Sequence, residues 1–132
     1  MKLYLDENLS PKFRRLLTHD LIEIYTFQFM TWQGKKNGEL LRLLSEYQFR
    51  GIITSDKLMY SDQQLKNGQL HFFLIQSALD TPAARNPLFD LLNEFLTESY
   101  SELNKARASK IVVADGLVDR TMTRGVHVLW ME

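Results

Sequence analysis

Lys2-Leu3-Tyr4-Leu5-Asp6-Glu7-Asn8-Leu9-Ser10-Pro11 is the stretch on which the reading of this chain turns. A four-residue apolar run closed by an acid has the length of a buried strand. Ser10 then supplies a helix cap and Pro11 the first helical position, where a missing N–H costs nothing. Strand one therefore leads into helix one. That helix carries Phe13, Leu16 and Leu17 on one face, with Lys12, Arg14 and Arg15 around it, and is expected to end near His19 and Asp20.

Residues 21–27 read as a second strand, followed by an aromatic loop around Trp32 and Gly34. Asn37 is placed to cap a second helix whose Leu40, Leu41, Leu43, Leu44 and Tyr47 form a broad apolar stripe. After Gly51, residues 52–54 form a short buried run that ends in Ser55-Asp56-Lys57, so strand three closes in acid as strand one does. Ser61 with Gln64 has the form of a capping box, which predicts a short helix over residues 62–66 before strand four at residues 70–75. Asn86-Pro87 opens the longest helical pattern, with Leu88, Leu91, Leu92, Phe95, Leu96 and Leu103 at helical spacing through about residue 108. Residues 110–114 and 126–130 are β-branched and aromatic, and predict a C-terminal hairpin. Strands alternating with helices make this an α/β chain with a mainly parallel sheet, right-handed crossovers and a hairpin extending one edge.

A chain of 132 residues with no linker composition fits one domain, and its hydrophobic fraction of 45% suffices for a core without covalent staples. There is no cysteine, which excludes disulfides, thiolate metal sites and cysteine nucleophiles. Lys plus Arg equals Asp plus Glu at 16 each, so no global basic field holds nucleic acid and any such contact is local. The first residues form neither a signal peptide nor a segment long enough to span a bilayer. A soluble, cytoplasmic protein with no membrane partner is expected.

In an open parallel sheet, ligands bind beyond the carboxyl ends of the strands. Asp6 and Asp56 both stand at such ends, and Glu39 falls in the first turn of the second helix, which opens toward the same edge. Clustered carboxylates repel one another unless a hard cation shares their charge, so Mg²⁺ or Mn²⁺ is the candidate cofactor. Such an ion activates water for attack on a phosphodiester. Acids beside strand ends and in first helical turns also occur for turn and dipole reasons alone. Glu7 is expected to turn away into solvent.

The motifs Leu5-Asp6-Glu7-Asn8-Leu9-Ser10, Trp32-Gln33-Gly34, Gly38-Glu39-Leu40-Leu41, Thr54-Ser55-Asp56-Lys57 and Tyr60-Ser61-Asp62-Gln63-Gln64-Leu65 occur in an order that resembles the PIN-like family of unknown function. The resemblance covers residues 1–76. It implies a three-layer PIN-like fold with helices on both faces of the sheet, related to the ribonuclease toxins of bacterial toxin–antitoxin pairs. By that implication Asp6, Glu39 and Asp56 are catalytic and hold the metal, while Asn8, Ser55 and Lys57 contact the substrate or support the site. The chain departs from the pattern at Asn37, where such relatives often carry aspartate. It departs again after strand four, where Gln76 and Ser77 stand in place of an acid and Asp80 lies farther on, in reserve.

His19, His71 and His127 show no paired spacing and predict no zinc site, and the segment around Lys35 and Lys36 lacks the frame of a phosphate-binding loop. Trp32 has two uses, stacking on a base or packing on the core. The leading expectation is a divalent-metal-dependent ribonuclease acting on single-stranded RNA, the toxin-like member of a two-protein module. Its partners would be RNA, an antitoxin protein and, by resemblance, a second copy in a homodimer. A catalytically weak module that binds RNA or a protein is the alternative. A small-molecule or phosphate-binding α/β domain, resting on fold analogy alone, ranks last.

Overall fold

The computed structural model describes residues 1–79, 81–116 and 123–132. Asp80, held in reserve above, lies outside them. Six strands form one sheet: β1 (Lys2–Leu5), β2 (Glu23–Thr26), β3 (Gly51–Thr54), β4 (His71–Gln76), β5 (Ser109–Ala114) and β6 (Gly125–Met131). The order is β2-β1-β3-β4-β5-β6, with every pair parallel except β5–β6. β3 and β5 are buried at nearly every position and β4 at all but its last, because helices cover both faces.

Alternate residues of each strand feed two cores. Leu3, Leu5, Ile53, Phe73, Ile75, Ile111 and Val113 meet Phe13 and the long helix α4 (Pro82–Lys105). On the other face Tyr4, Ile52, Phe72, Leu74 and Val112 meet helices α2 (Asn37–Glu46) and α3 (Asp62–Gly68). The expected three layers are thus present.

Several local expectations are corrected. Residues Pro11–Leu16 form a 3₁₀ helix, with Leu17 N–H returning to the Arg14 carbonyl at 3.2 Å, because Phe13 is the only side chain there fully buried and no apolar stripe extends the turn. β2 stops at Thr26, whose hydroxyl accepts Phe29 N–H (3.2 Å) and starts the helical turn α1 (Phe27–Met30). The cap of α2 is Lys36, without a side-chain bond, and Asn37 sits inside the first turn. The Ser61–Gln64 capping box forms as expected. α4 begins at Thr81-Pro82, where the Thr81 hydroxyl accepts Ala84 N–H, and Pro87 lies within it.

The crossovers do not all share one hand. The 3₁₀ helix and α4 cover the same face, yet β1→β2 and β4→β5 travel in opposite directions across the sheet. The β4–α4–β5 connection therefore has the opposite hand to the other three, against the strong preference for a single hand. Six residues of 3₁₀ helix cannot cover this face; the 24 residues of α4 do, stacking Phe89 on Phe13 at 4.2 Å.

At the amino edge of the sheet, the Arg50 guanidinium donates to the carbonyls of Leu103 (3.3 Å), Asn104 (3.3 Å) and Ala106 (2.7 Å), closing the end of α4. It also faces His71 Nε2 at 3.4 Å, and His71 Nδ1 lies 2.7 Å from the Ser109 hydroxyl. Both ring nitrogens of His71 are thus engaged, Nε2 beside Arg50 and Nδ1 with the Ser109 hydroxyl. Among the described residues no helix is long and apolar enough to cross a membrane.

Candidate active site at the carboxyl edge of the sheet

The strand order reverses direction between β1 and β3, and at such a switch point the flanking loops part to leave a crevice. The Asp6 N–H extends the ladder one step, donating to the Ile53 carbonyl at 2.9 Å, so Asp6 leaves the sheet beside the end of β3. Asp6 is 5% exposed. Oδ2 accepts the Thr54 hydroxyl at 2.7 Å and Oδ1 accepts Glu7 N–H at 2.9 Å.

Thr54, fully buried, organises the crevice. While its O–H donates to Asp6, its oxygen accepts Asp56 N–H (3.1 Å) and Asn8 Nδ2 (3.2 Å), so its one donor and two acceptor positions are all in use. Asn8 Oδ1 accepts Ser55 N–H at 3.3 Å, which ties the loop after β1 to the loop after β3. Asp56 Oδ1 accepts Leu58 N–H at 3.0 Å, a local turn that holds the carboxylate in place. One hydroxyl thus joins the Asp6 carboxylate to the backbone of Asp56.

Burial pushes the Asp6 carboxyl above its ordinary range, and the charges of Glu7 and Asp56 push it further, against the Thr54 and Glu7 hydrogen bonds that favour ionisation. The Tyr4 and Tyr60 hydroxyls are raised by burial and by the Asp6 charge, so both stay protonated and the Asp6 surroundings remain anionic.

Glu39 does not join the pair. Its carboxylate bonds Lys35 at 3.3 Å across one helical turn, half exposed. Among the described residues no group of three or more Asp, Glu, His or Cys side chains stands close enough to hold a metal ion. The meeting of three carboxylates expected above does not form; Asp6 and Asp56 stand close enough for the charge of one to act on the other. Asn37 is used structurally: Nδ2 reaches the Met59 carbonyl (3.4 Å), and its own carbonyl accepts the Tyr60 hydroxyl (2.8 Å). Glu7 is not merely solvated, since its carboxylate accepts Gly34 N–H at 3.0 and 3.3 Å. Gly34 has φ +74°, which suits glycine. Trp32 packs on Tyr4 and Phe49, in the core.

Beside the pair a cleft of about 470 Å³ opens between the ends of β3 and β4, lined by Ser55, Asp56, Lys57, Gln76, Ser77 and Arg85. Lys57 is exposed and brings a cation next to the anionic pair. Ser77 is held by Asp115, whose Oδ2 accepts the Ser77 hydroxyl (3.1 Å) and Ala78 N–H (2.9 Å). The sequence reading passed over Thr54 and Asp115 as functional groups. Asp115 had a signal available, because it closes the run 110–114 as Asp6 and Asp56 close theirs.

Two carboxylates with lone pairs to spare, in anionic surroundings, fit a hard divalent cation, which takes one or two carboxylates and keeps its waters. In comparisons with protein-family models, with curated proteins and with solved structures, nothing matches the chain.

Proposed function

We propose that the protein is a divalent-metal-dependent ribonuclease that cuts single-stranded RNA at the carboxyl edge of its sheet. The observation that carries this reading is the buried Asp6 carboxylate, raised by burial and by the charges of Glu7 and Asp56, with Asp56 lining a cleft that also holds Lys57 and Arg85. Asp6 and Asp56 would hold Mg²⁺ or Mn²⁺, which when bound supplies an activated water and neutralises developing phosphate charge. Thr54 fixes the Asp6 carboxylate, and Leu58 N–H fixes that of Asp56, so little reorganisation remains at the moment of reaction. Lys57 and Arg85, with the Ser55 and Ser77 hydroxyls, provide the contacts that seat an RNA backbone along the cleft.

The toxin-like role, with an antitoxin partner, rests on the resemblance of residues 1–76. A binding module that holds RNA or a protein without cutting it is the second reading, and the engagement of Glu39 by Lys35 favours it.

The test is cleavage of a mixed single-stranded RNA by the purified protein in Mn²⁺, beside EDTA and the variants Asp6→Asn and Asp56→Asn. Cutting that needs the metal and drops about a hundredfold or more in each variant is expected. Equal cutting by all three proteins, or RNA bound and left intact, overturns the nuclease in favour of contamination or of the binding module respectively.

A further inference from the structure

The sheet ends on one side at β2, whose outer edge has no neighbouring strand among the described residues. The Glu23 N–H donates inward to the Met1 carbonyl at 2.8 Å. Since backbone groups alternate along a strand, Glu23 and Tyr25 face β1, while the N–H and C=O of Ile24 and the N–H of Thr26 face outward. An edge left in this state is a template for another chain unless it is blocked. No proline, inward-pointing charge or bulge blocks this one.

The edge lies in a groove of about 600 Å³ with Arg14 and Arg15 on one side and Phe29 on the other. Phe29 is 73% exposed. Arg14 and Arg15 are both exposed and take part in no ion pair among the described residues. The one acid lining the groove, Glu23, accepts the Tyr25 hydroxyl and keeps its charge, so the arginines outnumber it two to one. The groove therefore presents a short unmet ladder, an apolar wall and a net positive charge from two guanidinium groups against one carboxylate.

From this charge pattern we propose that the outer edge of β2 takes an extended acidic segment of a partner protein as an added strand. Main-chain bonds to Ile24 supply affinity, Arg14 and Arg15 select acidic side chains, and Leu17 and Phe29 take an apolar one. A second copy fits less well. Antiparallel pairing of two β2 edges keeps both 3₁₀ helices on the same face, which sets the arginines of one copy beside those of the other, like charge against like. The proposal is independent of the nuclease reading, because β2 contributes no residue to the acidic pair.

The experiment titrates the full chain with a fluorescein-labelled peptide alternating glutamate and valine and with its lysine–valine counterpart, followed by anisotropy and amide hydrogen exchange. The acidic peptide is expected to bind and to slow exchange at Ile24 about tenfold or more, and Arg14→Glu with Arg15→Glu is expected to weaken it about tenfold or more. These two residues are exposed, so the double variant should fold, and unchanged circular dichroism checks that. Equal binding of both peptides, no binding, unchanged affinity in the double variant, or binding without protection at Ile24 overturns the proposal. Protection of Ile24 in a peptide-free dimer reassigns the edge to a second copy. Protection by a single-stranded oligonucleotide instead of the peptide reassigns it to nucleic acid.

Discussion

The two ends of the same sheet bury polar groups to opposite effect. At the amino edge Arg50, His71 and Ser109 consume one another's hydrogen bonds, and the Arg50 charge lies on the carbonyls that end α4. At the carboxyl edge Asp6 is as deeply buried as a core residue but is surrounded by other anions. Burial of a polar group is therefore no sign of function by itself. What separates a structural network from a chemical site is whether its charge is balanced inside the protein or left for something from outside to balance.

Removing a member of the balanced end should cost the most. Arg50→Ala takes the partner from three carbonyls and is expected to lower stability by about 3 kcal/mol, read from urea unfolding. Gly51→Ala is expected to do comparable damage, because a Cβ there would come within 2.6 Å of the His71 carbonyl. RNA cleavage per folded molecule should survive both. If it falls with stability, the two ends are not separable.

Acid should strain the same end. Burial, then the Arg50 charge, lowers His71 to about 4 from an ordinary 6.5. A folded pKa below the unfolded one means the contribution is whole above pH 6.5 and is lost as pH falls toward 4, about 3 kcal/mol across that window. Asp6 acts in the reverse sense: its folded pKa is raised, so its ionisation costs stability as pH rises. Measuring unfolding against pH in the Asp6→Asn background isolates His71, and His71→Gln in that background should flatten the curve. A slope that survives His71→Gln would assign it to another group.

The sharpest contrast is of smaller size. At pH 7, Asp6→Asn is expected to stabilise the protein by about 1 kcal/mol while abolishing metal-dependent cleavage. Ser109→Ala, which removes the partner of His71 Nδ1, is expected to destabilise it by about 1 kcal/mol and to leave cleavage alone. Thermal unfolding of the pair decides; equal signs would break the comparison. Smallest of all, Lys57→Ala should move stability by less than about 0.5 kcal/mol. It should also reduce the slope of log affinity for single-stranded RNA against log salt by about 0.7.

Much of this was legible along the chain. Short apolar runs gave the parallel strands, and β1 and β3 close in acid because a charge is tolerated only where a buried strand leaves the core. Asp6 and Asp56 were picked out that way, and β1 and β3 being neighbours puts both at adjacent strand ends. Glu39 was placed at the correct edge, but only the structure shows Lys35 one turn away to hold it. Thr54 was hidden because a threonine at a strand end looks like any β-branched residue, and its role depends on partners 46 and 48 residues distant. The face taken by α4 was not legible either, since helical periodicity says that an apolar stripe is buried and not against which side of the sheet.

That choice of face governs when the protein can exist as a folded body during synthesis. Asn93 of α4 bonds Thr18 of the opening segment, 75 residues earlier, and the same helix closes the core over β1, β3 and β4. A nascent chain released only as far as residue 79 would hold both acidic strand ends in sequence, yet Leu3, Leu5, Ile53, Phe73 and Ile75 would still face water. The stretch that carries the candidate chemistry is therefore not an autonomous unit, and must wait for α4 to leave the ribosome before its two aspartates are held in register.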